Sequence, residues 1–134
     1  MDLSRIVLSL PLRAEFVSIV RLTGSGIASR AGFDYDAVED IKVCLSEACN
    51  SLLNDKKKKG ISWETGVVIE FFVSGEKLTI KFAVEDAGDW EPSVETEGED
   101  DYGLMIARAL MDEFETNPED GYIVSMMKNI EEID

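Results

Sequence analysis

One predicted helix carries a group of short polar side chains opposite an apolar face. At 100° per residue, Glu47, Asn50, Ser51 and Asn54 fall on one side of the segment 41–54. A carboxylate among amide and hydroxyl groups can move a proton, hold a metal ion or hydrogen-bond a ligand. The stripe predicts either the wall of a ligand-binding cleft or a solvated outer face, and the pattern alone favours neither.

The opposite side of this helix has the spacing of a core-facing surface. Its apolar residues recur at intervals of three and four: Val38, Ile41, Leu45, Ala48 and Leu52. Asp36 and Glu39 resemble a capping box that starts the helix, which we expect to end near Asn54. The lysine run 56–59 is interpreted as a solvated helix end and loop, with partner docking as the alternative.

Two further motifs have the residue types that a nucleotide site requires. Asp86-Ala87-Gly88 follows a predicted strand, and Gly103-Leu104 opens a predicted helix after an acidic segment. A carboxylate can read a base, and the amides at a helix N-terminus can face phosphates. Taken singly, Glu47 could lie on the surface, Asp86 could cap a turn and Gly103 could be a helix N-cap.

The remaining periodicity predicts the elements that would position these residues. Residues 3–12 alternate as a strand, which Pro11 ends or marks as an edge. The other predicted elements are a helix at 14–30, a hairpin of strands at 67–73 and 78–84, a mobile loop at 91–101, a helix at 103–114 and a strand at 122–127. Gly24 and Gly26 in the first helix indicate close packing against another backbone. The order predicts one domain, 1–134: a two-layer α/β sandwich whose mixed, mostly antiparallel sheet is covered on one face by helices.

Composition restricts the partners and the compartment. The chain has 134 residues with 13 basic and 28 acidic side chains, and its net charge of -15 disfavours nucleic acid and anionic membranes. It has no apolar run of about 20 residues and no signal-peptide pattern, so we expect a cytoplasmic protein. Cys44 and Cys49 lie five residues apart on one helix, too far for a disulfide, and are predicted to be buried free thiols.

With these motifs, the chain resembles the anti-sigma factors that are also serine protein kinases in bacterial stress-response and sporulation switches. That family lies within the histidine-kinase-like ATPase superfamily. The segments that carry the resemblance are 21–30, 45–49, 84–89, 103–104 and 110–113. The resemblance implies a histidine-kinase-like ATPase fold, ATP with Mg²⁺, and a homodimer that sequesters a sigma factor and phosphorylates a serine of an anti-sigma antagonist protein.

The resemblance also implies a role for each motif residue. Glu47 would activate the attacking hydroxyl, Asp86 would accept from the adenine amino group, and Gly88 would let the backbone approach the base. Gly103 and Leu104 would lie by the phosphates. The magnesium-binding Asn of the family aligns with Ser51, with Asn50 one position earlier, so these two residues are the metal candidates.

Several positions depart from the family pattern. The family's His aligns with Asp55, the first Gly of its second glycine box with Asp101, and a Thr of its last strand with Ile123. Nine acidic residues occupy 85–101, and no Lys or Arg lies between Lys81 and Arg108, although phosphoryl transfer requires cationic groups.

Two functions therefore compete. The first is an ATP-dependent anti-sigma serine kinase, and the second is a degenerate, non-catalytic member that binds protein partners without efficient ATP turnover. A plain α/β scaffold would leave the placement of the Asp-x-Gly and Gly-Leu motifs unexplained.

Overall fold

The computed structural model describes residues 3–94, 102–118 and 120–131. The strands are β1 (Ser4–Pro11), β2 (Gly66–Val73), β3 (Lys77–Glu85), β4 (Glu113–Thr116) and β5 (Val124–Asn129). The α-helices are α1 (Val17–Ala31), α2 (Tyr35–Lys58) and α3 (Tyr102–Leu110), and a short 3₁₀ turn (Ala14–Phe16) precedes α1.

The five strands form one sheet in the order β1-β2-β3-β5-β4. The predicted α/β fold is confirmed, with one refinement: all four pairings are antiparallel, so the described strands contain no parallel pair. The predicted hairpin is β2 and β3. β1 is an edge strand that ends at Pro11, as expected of a residue that cannot donate a backbone hydrogen bond.

The core lies between the sheet and the helices. Alternate residues of β2 and β3, including Ile69, Phe71 and Phe82, are fully buried in one cluster with the apolar stripe of α2. That stripe is the predicted one, and its Ile41, Leu45, Ala48 and Leu52 have no exposed surface. The buried residues of the strands recur every two positions and those of the helix every 3.6, and both sets pack in a single core.

The α1 helix approaches α2 closely at one of its two glycines. A Cβ atom on Gly24 would lie 2.1 Å from Leu45 Cδ1, whereas a Cβ atom on Gly26 would meet nothing within 4 Å. The expectation of close packing is thus confirmed at Gly24 and wrong at Gly26. The buried stripe of α1 runs through Val20, Gly24 and Ala28, which leaves Ile19 and Leu22 exposed.

The α2 helix begins earlier and ends later than its sequence indicated. Asp34, rather than Asp36, is the N-cap, and its carboxylate accepts from the Ala37 amide at 2.9 Å. The capping-box prediction is therefore wrong, since Asp36 already lies in the first turn. The helix continues to Lys58, so three of the four lysines belong to its last turn, where cations favour the helix dipole.

The region after α3 differs most from the prediction. The helix ends at Leu110, and the next residues form β4, which pairs with β5 through Phe114↔Met126. Phe114 is a strand residue rather than the last residue of a helix. The closing strand, expected at 122–127, is β5 and starts two residues later.

A polar network extends across the sheet from β1 and β2, over β3, to the residues that lead into β5. Glu70 of β2 is 8% exposed; its carboxylate accepts from Arg5 Nε at 2.8 Å and from the Tyr122 hydroxyl at 2.7 Å. The hydrogen bond from Tyr122 and then that from Arg5 lower the pKa of Glu70. Lys81 lies over the Tyr122 ring at 4.9 Å from its centroid.

Both cysteines are free and buried, as predicted. Burial raises the pKa of each thiol to about 12, so both are protonated at neutral pH. Within the described ranges, no helix is long and apolar enough to span a membrane. Residues 91–94 contain neither helix nor strand, in agreement with the predicted loop, while the rest of that loop, 95–101, lies outside the described residues.

Candidate functional site

The carboxylate of Glu47 lies against the first turn of α3. A Cβ atom on Gly103 would be 1.7 Å from Glu47 Oε2 and 2.5 Å from its carboxyl carbon. Position 103 therefore accepts only glycine while Glu47 keeps this orientation. The N-terminal end of a helix carries partial positive charge, which stabilises a nearby carboxylate.

The polar stripe of α2 divides between interior and surface. Glu47 is half-buried and Ser51 is 4% exposed, whereas Asn50 and Asn54 are exposed. The part of the stripe that faces the protein thus consists of Glu47 and Ser51. The solvated-face interpretation therefore holds for Asn50 and Asn54 but not for Ser51, and the ligand-cleft interpretation stays a prediction.

These positions bear on the proposed metal donors. Asn50 and Ser51, which are neighbours on α2, do not converge, because one side chain is exposed and the other is buried. No group of three or more His, Cys, Asp or Glu side chains suited to a metal ion occurs in the described part of the chain. Mg²⁺ in nucleotide sites usually takes one or two protein oxygens together with phosphates and waters, and in this arrangement Asn50 and Ser51 do not supply a shared pair of such ligands.

Leu104 is fully buried, so its side chain anchors α3 in the core and only its backbone could face a ligand. The equivalent of the family's Thr, Ile123, is also buried, and its amide donates to Phe82 O at 2.8 Å. Position 123 therefore joins the last part of the chain to β3 through its backbone and presents no hydroxyl.

The Asp86 motif forms a tight turn directly after β3. Asp86 has φ +55° and Gly88 has φ +58°, and the Trp90 amide donates to Ala87 O at 3.0 Å. Left-handed backbone is accessible to Gly and tolerated by Asp. The Asp86 side chain is exposed and has no hydrogen-bond or ion-pair partner among the described residues, so its carboxylate is available to a ligand.

Asp55 fixes the residues that follow this turn to the end of α2. Its Oδ2 accepts from Trp90 Nε1 at 3.0 Å, from the Ser93 amide at 3.1 Å and from Lys59 Nζ at 3.1 Å. Lys59 also donates to Glu91 O at 2.6 Å. The indole of Trp90 is 3% exposed, so this anchor couples α2, one turn beyond Ser51, to the Asp86 turn.

Sequence reasoning noted Asp55 only as a replacement for histidine and missed its role as an acceptor. A buried Trp whose N–H needs a partner is a usable signal, because such groups are almost always hydrogen-bonded. That signal says that Trp90 needs an acceptor but does not single out Asp55, which lies one turn beyond Ser51 on α2 and 35 residues from Trp90.

Trp63 is a second residue that sequence reasoning missed. Its Nε1 donates to Ala87 O at 3.1 Å, and a Cβ atom on Gly88 would lie 3.3 Å from its ring. The contact follows from register: Gly66 pairs with Glu85, so the residues before β2 run antiparallel to the Asp86 turn. No local pattern around residue 63 indicates this.

Thr65 lies between Trp63 and β2, and its environment is unusual. Its side chain is 1% exposed, and its hydroxyl has no hydrogen-bond partner in the described structure. An unpaired buried hydroxyl normally costs about 1–3 kcal/mol.

The arrangement and the sequence define a class of protein. The model of the histidine kinase-like ATPase domain matches residues 10–128, a range that includes all three motifs. The chain therefore belongs to the histidine kinase-like ATPase domain family. This finding confirms the resemblance that the motifs indicated, and the domain is by its description an ATPase domain.

Within this family the chain is similar to proteins named serine-protein kinase RsbW. The one from Bacillus velezensis is 37% identical over 134 residues, which cover 92% of this chain and 84% of the relative. The protein from Oceanobacillus iheyensis is 34% identical over 142 residues, with 96% and 90% covered. That from Bacillus subtilis (strain 168) is 35% identical over 136 residues, with 92% and 84% covered.

Proposed function

We propose that the chain is an ATP-dependent anti-sigma serine kinase that phosphorylates a serine of an antagonist protein and sequesters a sigma factor. Similarity to serine-protein kinases over more than nine-tenths of the chain supports the kinase class. The observation that carries the proposal is the Glu47 carboxylate held against Gly103 in the first turn of α3. A proton acceptor and a phosphate-facing helix end are thereby adjacent.

In this proposal each motif residue has one task. Asp86, whose carboxylate has no partner among the described residues, accepts from the exocyclic amine of the base. Glu47 takes the proton of the antagonist's serine hydroxyl as its oxygen attacks the γ-phosphorus and the bond to ADP breaks. Bound Mg²⁺ would supply charge neutralisation at the phosphates, but the side chains of Asn50 and Ser51 do not form a set of ligands for it.

A second candidate is a non-catalytic derivative that binds partners without efficient turnover. The burial of Ser51 at the position of the metal-binding Asn favours it. So does charge, because no Lys or Arg occurs between Lys81 and Arg108 to offset the nine acids of 85–101. On either proposal the sigma factor and the antagonist are the protein partners.

Labelled ATP distinguishes the two candidates. The purified chain is incubated with γ-labelled ATP, Mg²⁺ or Mn²⁺, and a serine-bearing antagonist, and transfer to the antagonist is measured. The kinase proposal expects labelling that is lost in Glu47→Ala. Labelling only in a Ser51→Asn variant would instead establish the derivative, and binding of the antagonist without labelling in either protein would also reject the kinase.

A further inference from the structure

The indole of Trp63 is held rigidly beside the Asp86 turn, although 42% of the residue is exposed. Its N–H is bonded to Ala87 O, and one edge of the ring packs on the backbone of Gly88. An exposed aromatic ring that is already fixed loses little conformational freedom when a ligand packs on it. The ring of Trp63 is therefore already oriented before a ligand binds, unlike the ring of a freely rotating side chain.

The ring and the Asp86 carboxylate line the same open cavity. The cavity measures about 510 Å³, and its lining residues are Trp63, Asp86, Gly88 and Asp89. That volume lies in the range of small-molecule pockets, roughly 300–1,000 Å³. Glycine at position 88 allows the indole to pack closely on the backbone, because a Cβ atom there would lie 3.3 Å from the ring.

Charge determines which part of a nucleotide this cavity suits. Its lining has two carboxylates and no cationic side chain, so a phosphate would be repelled. A flat, neutral ring that carries an amino group suits both features, because the amine donates to a carboxylate and the ring stacks on an indole.

We propose that Trp63 is the stacking residue of a purine-base site in which Asp86 reads the exocyclic amine. This inference rests on the proposed function, since it concerns the base end of the same nucleotide. It adds a residue from outside the three motifs, supplied by the segment that leads into β2.

The first test is calorimetric titration of ATP into the full chain and three variants. Trp63→Ala, which removes the ring, should weaken ATP binding about tenfold or more, the usual effect of losing one base–aromatic stack. Trp63→Phe keeps an aromatic face and should remain within about threefold of the parent protein. Tyr35→Ala, at an aromatic that is 76% exposed at the start of α2, is the control and should bind like the parent.

The second test separates stacking from edge recognition. Inosine triphosphate lacks the exocyclic amine, so the ratio of ATP to ITP affinity reports the contact to Asp86. Trp63→Ala should weaken both nucleotides by the same factor and leave the ratio unchanged, whereas Asp86→Asn should reduce the ratio. In the parent protein, ATP should also quench tryptophan emission, and Trp63→Phe should abolish this change.

Each other outcome overturns the assignment. Unchanged ATP affinity in Trp63→Ala would reject the stacking role of Trp63 without rejecting ATP binding by the chain. Loss of antagonist binding in that variant would instead place Trp63 in a protein interface. Equal weakening in Trp63→Phe and Trp63→Ala would assign the effect to the N–H bond. If Trp63→Ala does not fold, Trp63→Phe and the emission change decide. No ATP binding by the parent protein would reject both this inference and the kinase.

Discussion

At the scale of single residues, the contact between Glu47 and Gly103 is the most informative feature of the site. The carboxylate lies where a methyl group at position 103 would be, and it is the far end of a flexible side chain. A new side chain at 103 would therefore displace the carboxylate more readily than the backbone of α3. Chemistry and stability should respond differently to the same substitution.

We expect Gly103→Ala to reduce phosphoryl transfer at least tenfold while changing the free energy of unfolding by less than about 1 kcal/mol, because only the Glu47 side chain must move. Phosphorylation of the antagonist and urea unfolding measure the two effects. Gly26→Ala is the matched control, because a Cβ atom there meets nothing within 4 Å. Full activity in Gly103→Ala would show that the position of Glu47 is irrelevant to transfer.

At the scale of elements, α1 provides a pair of glycines two residues apart whose surroundings differ completely. Gly24 contacts the fully buried Leu45 of α2, whereas Gly26 is exposed. Helix propensity favours alanine over glycine at both positions by up to about 1 kcal/mol. At Gly24, packing therefore determines whether alanine raises or lowers the free energy of unfolding.

We expect Gly24→Ala to destabilise the protein by about 1–3 kcal/mol, because Leu45 cannot leave a filled core, and Gly26→Ala to stabilise it by about 0.5–1 kcal/mol. Urea unfolding of the two variants measures both effects. Changes of the same sign in the two variants would contradict the close approach of α1 to α2.

The network around Glu70 links three elements and should make stability depend on pH. A carboxyl group whose pKa is lowered in the folded state contributes stability that is present above its usual value of 4.5 and lost as the pH falls through the lowered value. We expect the difference in free energy of unfolding between the parent and Glu70→Gln to be constant from about pH 8 to 6 and to shrink below about 5.

Urea unfolding at a series of pH values measures this difference. Tyr122→Phe serves as the companion variant, because the hydrogen bond from its hydroxyl is the largest cause of the shift. It should reduce the pH dependence more than Arg5→Gln does. A difference that stays the same down to pH 3 would contradict the network.

At the scale of the whole molecule, β1 leaves one edge of the sheet unpaired within the described chain. This strand has 39% of Ile6 and 45% of Val7 exposed, and exposed apolar edge strands favour pairing with a second chain. We therefore expect a homodimer that associates through β1. A Val7→Lys variant should weaken the dimer, and light scattering at tens of micromolar should detect monomers.

Sedimentation at several protein concentrations gives the dissociation constant of the dimer. Val43→Lys, at an exposed residue of α2, is the control. A parent protein that is monomeric at these concentrations, or a dimer unaffected by Val7→Lys, would contradict association through this edge.

An element of this fold could be predicted from the sequence where the residues that determine it lie within the element itself. The α2 stripe, the hairpin and the Pro11 edge follow from periodicity and backbone chemistry, so they could be predicted. The strand β4 could not, because Phe114 follows Leu110 at helical spacing and forms a strand only through pairing with β5. Asp34 and Asp36 are both chemically suited to cap a helix, and the fold selects between them.

The same distinction applies to the candidate site. The Asp86 and Gly103 motifs are recognisable along the chain, but the contact of Trp63 with Gly88 depends on strand register, and the bond from Trp90 to Asp55 spans 35 residues. The burial of Ser51 depends on how α2 is rotated in the core, which a helical pattern gives only to within about one residue, or 100°.

The fit of Glu47 against Gly103 also has an evolutionary consequence. Because the carboxylate occupies the space of a side chain, the two positions cannot drift independently while the acid is retained. Descendants that lose the acid, by mutation to Ala or Ser, would be released from the need for glycine and could acquire a side chain that strengthens the start of α3. An alignment of active and inactive relatives should therefore show the two positions changing together, with the acid lost first.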